Sequence, residues 1–187
     1  MNLSGANCLV LGGAGFIGSH VVTALLEEGV GEVRIYDNLA RGDLSSLAPS
    51  LENERCSFYG NGGDIRDVDI LNDAMRGVDC VFHLAAMWLL HCRDFPRTAF
   101  HINVEGTFNV LEACVRNKVD RLIYSSSASV YGNALEVPMR EDPSRGLRDL
   151  ETGRALCQFR EFRRARPVVL LPQEEPDQHP FAGLDSS

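Results

Sequence analysis

Seven residues near the amino terminus, Gly12-Gly13-Ala14-Gly15-Phe16-Ile17-Gly18, constrain this chain more than any other segment. Ahead of them runs a short apolar stretch, residues 7–11, and behind them Phe16, Ile17, Val21, Val22, Leu25 and Leu26 recur at helical spacing. The order is therefore strand, tight turn, helix; Gly29 and Gly31 end the helix, and residues 32–36 predict a second strand closed by Asp37. Glycines in either register, Gly12, Gly15 and Gly18 or Gly13, Gly15 and Gly18, let the backbone turn sharply and come within contact of a diphosphate. The helix start adds unpaired N–H groups, at Phe16 and Ile17, and the positive end of a dipole. Asp37 lies nineteen residues after Gly18, where a carboxylate can accept hydrogen bonds from ribose hydroxyls and repel a 2′-phosphate. These features predict a dinucleotide site that favours NAD over NADP. Arg41, four residues further on, is the one cation placed to offset a 2′-phosphate.

The alternation continues more loosely. Residues 55–59 predict a third strand, 67–76 a helix, 80–84 a fourth strand, 98–117 a long helix and 121–125 a fifth strand. Strands separated by helices imply parallel pairing through right-handed crossovers, hence an α/β fold with a doubly wound, Rossmann-like sheet in the order 3-2-1-4-5. Residues 1–142 form the expected dinucleotide-binding domain. From 143 to 187 the texture changes: this stretch has no lysine, no tyrosine and weak periodicity. It reads as a divergent, irregular tail on a truncated domain, with a helix over 154–166, a short strand over 168–171 and a solvated, disordered end beyond Pro172.

A formal net charge of −8 argues against a nonspecific nucleic-acid or anionic-membrane surface, since each needs a positive field. The six cysteines, Cys8, Cys56, Cys80, Cys92, Cys114 and Cys157, have neither C-x-x-C spacing nor the density of a disulfide scaffold and read as free thiols. The first apolar run is broken by glycines after Leu11 and lacks a basic lead-in, so neither a signal peptide nor a membrane span is expected, and a reducing cytoplasm is the expected compartment. His83, His91 and His101 match no zinc spacing, and His83 lies in an apolar strand, which predicts a structural role with its hydrogen bonds satisfied and no metal. The run 160–166, rich in arginine, reads as a solvated helix end rather than a docking site for an acidic partner. Trp88, Leu89 and Leu90 follow the fourth strand, where they either cover the cofactor cleft or pack an exposed edge.

Six blocks in order, GGAGFIGSH, DNLARG, GDIRD, VFHLAA, NVEGT and SSSASVYG, resemble the NAD-dependent epimerase/dehydratase branch of the extended short-chain dehydrogenases, over residues 7–142. The resemblance implies NAD as cofactor and a nucleotide sugar as substrate. It implies that Asp37 and Asn38 border the adenosine ribose, that Asp64 and Ile65 touch the adenine, and that Leu84, Ala85 and Ala86 line the cofactor. It further places Asn103 on the long helix near the nicotinamide, and Ser127 as the catalytic serine whose hydroxyl meets the substrate oxygen. Members of the family commonly dimerise through two helices, of which 98–117 is the counterpart of one.

Two positions depart from the family's pattern. Leu11 stands where threonine is usual, a minor change. The second is mechanistic: the family needs a tyrosine four residues before a lysine, so that the ammonium and the positive nicotinamide lower the phenol pKa for proton removal during hydride transfer. Here no tyrosine follows Tyr131 and the only lysine is Lys118. If 152–156 occupies that site, the pair has become Thr152 and Leu156, a far weaker acid beside an uncharged side chain. Loss of a positioned acid/base costs on the order of 10²- to 10⁴-fold in rate. The expectation is a catalytically impaired NAD-binding domain; the alternatives are an active epimerase or dehydratase, and a noncatalytic subunit acting through a partner. The abrupt change of composition also fits an alternative reading frame or splice form joined to a genuine cofactor domain.

Overall fold

A computed structural model describes residues 3–126 and the backbone of Val168–Leu170. In chain order the elements are β1 (Asn7–Leu11), α1 (Phe16–Glu27), β2 (Glu32–Tyr36), a 3-10 turn (Leu44–Leu47) running into α2 (Ala48–Leu51), β3 (Cys56–Phe58) and α3 (Val68–Ala74). There follow β4 (Cys80–His83), α4 (Leu89–Asp94), α5 (Pro96–Phe100), a π-helical turn (His101–Gly106), α6 (Thr107–Arg116), β5 (Arg121–Tyr124) and β6 (Val168–Leu170). The sheet order is β3-β2-β1-β4-β5-β6. The first five strands are parallel, as the alternation requires. The segment expected as a short strand over 168–171 is β6, and it pairs antiparallel with β5, Ile123 facing Val168. That pairing has no signature in the sequence. The helix expected over 154–166 and the disordered end beyond Pro172 lie outside the described residues.

From Cys8 to Leu11 β1 is buried on both faces and continuously apolar, as a central parallel strand should be. Leu9 and Leu11 pack with Tyr36, Val81 and Leu122 against Leu71 of α3, Met75 at its end and Val110 of α6. Cys8 and Val10 face the other way, with Val33 and Ile35, onto Val22, Leu25 and Leu47. Each fully buried Leu, Ile or Val contributes roughly 1.5–3 kcal/mol relative to exposure. Both layers therefore hold the sheet's carboxyl edge in place.

Three differences from expectation have local causes. The 3-10 turn, α2 and α4 are too short to show a periodicity; the first is started by Asp43, whose carboxylate accepts from the Ser45 amide, and the second by Pro49 in its first turn. The predicted long helix begins earlier, at Pro96, and carries the π turn in its middle. There a Cβ on Gly106 would stand 2.6 Å from Ile65 Cδ1, so a wider turn and a glycine let the helix pass close to the loop after β3. Among the described residues the five cysteines are free and buried, no cluster of metal ligands is present, and no helix is long and apolar enough to cross a membrane.

Candidate functional site

Between β1 and α1 the chain turns at Gly12, whose φ of +80° belongs to the region glycine favours. Three of the glycines answer to packing. A Cβ on Gly12 would sit 2.7 Å from the Ala85 amide nitrogen, one on Gly13 2.8 Å from Ile35 Cγ2, and one on Gly18 2.1 Å from the Gly12 carbonyl oxygen. Gly15 differs: its Cβ would meet only the Gly12 oxygen, at 3.3 Å. Packing therefore constrains Gly15 less than its neighbours, and the missing Cβ leaves its backbone open to close approach. α1 follows at once, its first bond running from the Ser19 amide to the Gly15 carbonyl at 2.9 Å. The amides of Phe16, Ile17 and Gly18 thus precede the helical ladder, no side chain caps them, and the first turn has no acidic residue. Phe16 and Ile17 are exposed. An uncapped helix start beside a bare glycine backbone has the geometry of an anion cradle.

Asp37 points into this loop. One carboxylate oxygen accepts from the Ala14 amide at 2.9 Å and the other from the Leu39 amide at 2.8 Å. Each oxygen keeps a second acceptor site, so the group can brace the glycine loop and still receive a hydroxyl. Asn38 is exposed beside it and turns back on Ala40. The chain then straps over the loop: the Asp43 amide donates to the Ala14 carbonyl at 3.1 Å, and a Cβ on Gly42 would lie 2.6 Å from Ala14 Cβ. From the third side comes the loop after β3. Gly63, φ +146°, lies so close to Asp37 that a Cβ would stand 2.2 Å from its carbonyl. Tyr36, fully buried, donates from its hydroxyl to the Asp64 carbonyl at 2.9 Å; burial pushes this phenol up to about 12.

Asp64 is engaged elsewhere. Its carboxylate pairs with the Arg66 guanidinium, which holds it below the usual carboxylate range. Ile65 is buried in the core, and its carbonyl accepts from Asn109. An open depression of about 620 Å³ adjoins them, lined by Asp64, Arg66, Asp67, Val68, Asp69, His101 and Glu105. Four carboxylates make it a poor diphosphate site, and no residue of the glycine loop lines it.

The loop after β4 forms the remaining wall. Leu84 and Ala85 are half-buried and Ala86 exposed, with the Leu84 amide bonded to the Leu11 carbonyl. Asn103, from the π turn, clamps this wall by accepting from the Met87 amide at 2.7 Å and donating to the Met87 carbonyl at 3.1 Å. Thr107 donates its hydroxyl proton to the Asn103 carbonyl. His83 Nε2, 3.0 Å from that hydroxyl oxygen, is therefore the donor. The neutral ring then presents Nδ1 as an acceptor, buried with no partner among the described residues, which corrects the expectation that this histidine is fully satisfied. Burial drives its pKa down to about 4. Trp88 opens α4, with the Arg41 guanidinium 4.5 Å above its ring.

The sequence model of the 3-beta hydroxysteroid dehydrogenase/isomerase family matches residues 9–147. The chain belongs to this family, in the NAD-dependent epimerase/dehydratase group. Among curated relatives, UDP-glucose 4-epimerase of Halalkalibacterium halodurans is 36% identical over 140 residues, 73% of this chain and 39% of the relative. That of Neisseria meningitidis serogroup A is 38% identical over 141 residues, 73% of this chain and 41% of the relative. Among solved structures, the Stenotrophomonas maltophila UDP-glucose-4-epimerase with bound NAD and formylated UDP-arabinopyranose matches at TM-score 0.66 and 34% identity, covering 73% of this chain and 41% of that one. The Bifidobacterium longum enzyme in complex with NAD+ and UDP matches at 0.65 and 30%, with the same coverage. The chain thus spans about two fifths of the length of these epimerases.

The glycine loop, Asp37, Asn38, Leu84, Ala85 and Ala86 come together at one sheet edge. Asp64 and Ile65 border it through backbone rather than side chain, and Asn103 reaches it through Met87. Ser127, Thr152 and Leu156 lie outside the described residues. Four contributors escaped the sequence reading: the Ala14 amide, Gly42, Gly63 and Tyr36. Of these Gly42, which ends the DNLARG block, and Gly63, which opens GDIRD, left a visible mark.

Proposed function

We propose that residues 1–142 form an NAD-binding domain of the epimerase/dehydratase family whose 187-residue chain lacks the family's tyrosine–lysine proton-transfer pair. The supporting observation is the joint placement of a bare Gly15, uncapped amides at Phe16 and Ile17, and a buried carboxylate at Asp37, all at the carboxyl edge of β1 and β2. NAD, when bound, would supply hydride transfer. On the protein side, the helix start would hold the diphosphate and Asp37 the adenosine ribose, with Asn38 beside it. The wall from Leu84 to Ala86 would line the dinucleotide, and the backbone near Asp64 and Ile65 would meet the adenine. Asn103 would position that wall. Arg41, drawn onto Trp88, is not directed at a 2′-phosphate, which favours NAD over NADP. Ser127 would meet a substrate oxygen, but without the tyrosine–lysine pair the family's route for removing its proton would be missing. UDP-sugars, which the relatives' structures hold, are the first second ligands to try. A cytoplasmic location and a homodimer through the α5–α6 face complete the reading.

The test is a thermal melt of the chain with NAD. Binding to the native state alone should raise stability by about 2.7 kcal/mol at a hundred times Kd. Equal stabilisation by NADP, or none by NAD, refutes the cofactor assignment. Turnover of UDP-glucose by the purified chain would refute the catalytic deficit.

A further inference from the structure

Arg41 and Trp88 belong to loops that leave the sheet on opposite sides of the glycine loop. Arg41 comes four residues after Asp37 at the end of β2, and Trp88 five after His83 at the end of β4. β2 and β4 flank β1 and run parallel to it, so both loops emerge at the same edge. Two strand spacings, roughly 9–10 Å, separate their origins. A guanidinium 4.5 Å above the indole therefore bridges the turn of the central strand. The bridge is anchored on both sides. Gly42 and Asp43 fasten the Arg41 loop to Ala14, and Met87, adjacent to Trp88, is clamped by Asn103. His91 packs edge-on against the indole, ring centroids 5.2 Å apart.

The geometry points to a clasp: Arg41 and Trp88 close the mouth of the dinucleotide crevice, so that a nicotinamide dinucleotide enters and leaves only when they part, and they close again over the bound diphosphate. This rests on the cofactor reading above. A clasp made in both free and bound protein slows association and dissociation alike and leaves affinity nearly unchanged. A direct phosphate ligand would instead strengthen affinity, mainly through slower dissociation. A partly exposed cation–π pair implies about a two- to fivefold effect on each rate.

Trp88 is the sole tryptophan of the chain, so its emission reports this contact without labels. Stopped-flow mixing with NADH, read by energy transfer from Trp88, should show both rates rising about two- to fivefold in Arg41→Ala with Kd little changed, and Arg41→Lys lying between. Free Arg41→Ala should also differ from the unmodified chain in Trp88 emission, while circular dichroism confirms equal folding. A weaker Kd carried by dissociation alone would overturn the clasp in favour of a phosphate ligand. Unchanged emission in a folded Arg41→Ala would overturn it whether or not NADH binds. Absence of NADH binding to the unmodified chain, read by calorimetry, would remove the cofactor reading itself and the gating role with it.

Discussion

Burial of His83 makes a definite claim about acid stability. The ring is 1% exposed, its Nε2–H is committed to Thr107, and burial holds its pKa at about 4 against an ordinary 6.5. Between those values the unfolded chain binds a proton that the folded chain refuses, so stability rises with pH across that window and is lost as pH falls through it. For one site with these two pKa values, the linkage relation gives a loss of about 2 kcal/mol between about pH 7.5 and pH 5, growing to roughly 3 kcal/mol below pH 4. The comparison is urea unfolding of the unmodified chain against His83→Leu, which removes the titration. The other histidines cancel in the difference. Above about pH 7.5 the difference in unfolding free energy should be constant. Below about pH 6.5 the unmodified chain should lose ground to the variant, with a slope approaching 1.4 kcal/mol per pH unit. A flat difference down to about pH 5 would show that the ring protonates at its ordinary value, and that Nδ1 has a partner or reaches solvent.

Other perturbations bear on the crevice directly. Asp37→Ala should lose about 1–3 kcal/mol in thermal unfolding without any ligand, because the buried Ala14 amide is left without an acceptor while the exposed Leu39 amide can turn to water; unchanged stability would show that the carboxylate does not brace the loop. Gly63→Ala, with a Cβ 2.2 Å from the Asp37 carbonyl and φ at +146°, should fail to give a cooperative melt or lose several kcal/mol, whereas Gly60→Ala, where nothing lies within 4 Å, should change stability by about 0.5 kcal/mol or less. Gly15→Val should cost the free chain little beside Gly63→Ala, its Cβ meeting only the Gly12 oxygen at 3.3 Å, but should abolish stabilisation by NAD, and a variant still stabilised by NAD would show that the ligand does not approach there.

Most of the scaffold is legible without coordinates. The continuous apolar run of β1, the glycine spacing and the helical recurrence from Phe16 to Leu26 dictate a strand–turn–helix, and the repeated alternation dictates a parallel sheet in the observed order. Position along the chain also places Asp37, since a strand of fixed rise carries its last residue to the same edge as the turn after β1. These features are local: they depend on backbone sterics and on periodicity, which the sequence writes directly. What only the tertiary structure decided depends on groups distant in sequence meeting over a few ångströms. Asp37 braces Ala14, Gly63 admits Asp37, Tyr36 fixes Asp64, and Asn103 clamps Met87 through a π turn. Arg41 finds Trp88 only because β2 and β4 lie on either side of β1. The addition of β6 to the β5 edge is of the same kind. Such contacts leave no period in the sequence, because each is set by the packing of whole layers and not by the residues beside it.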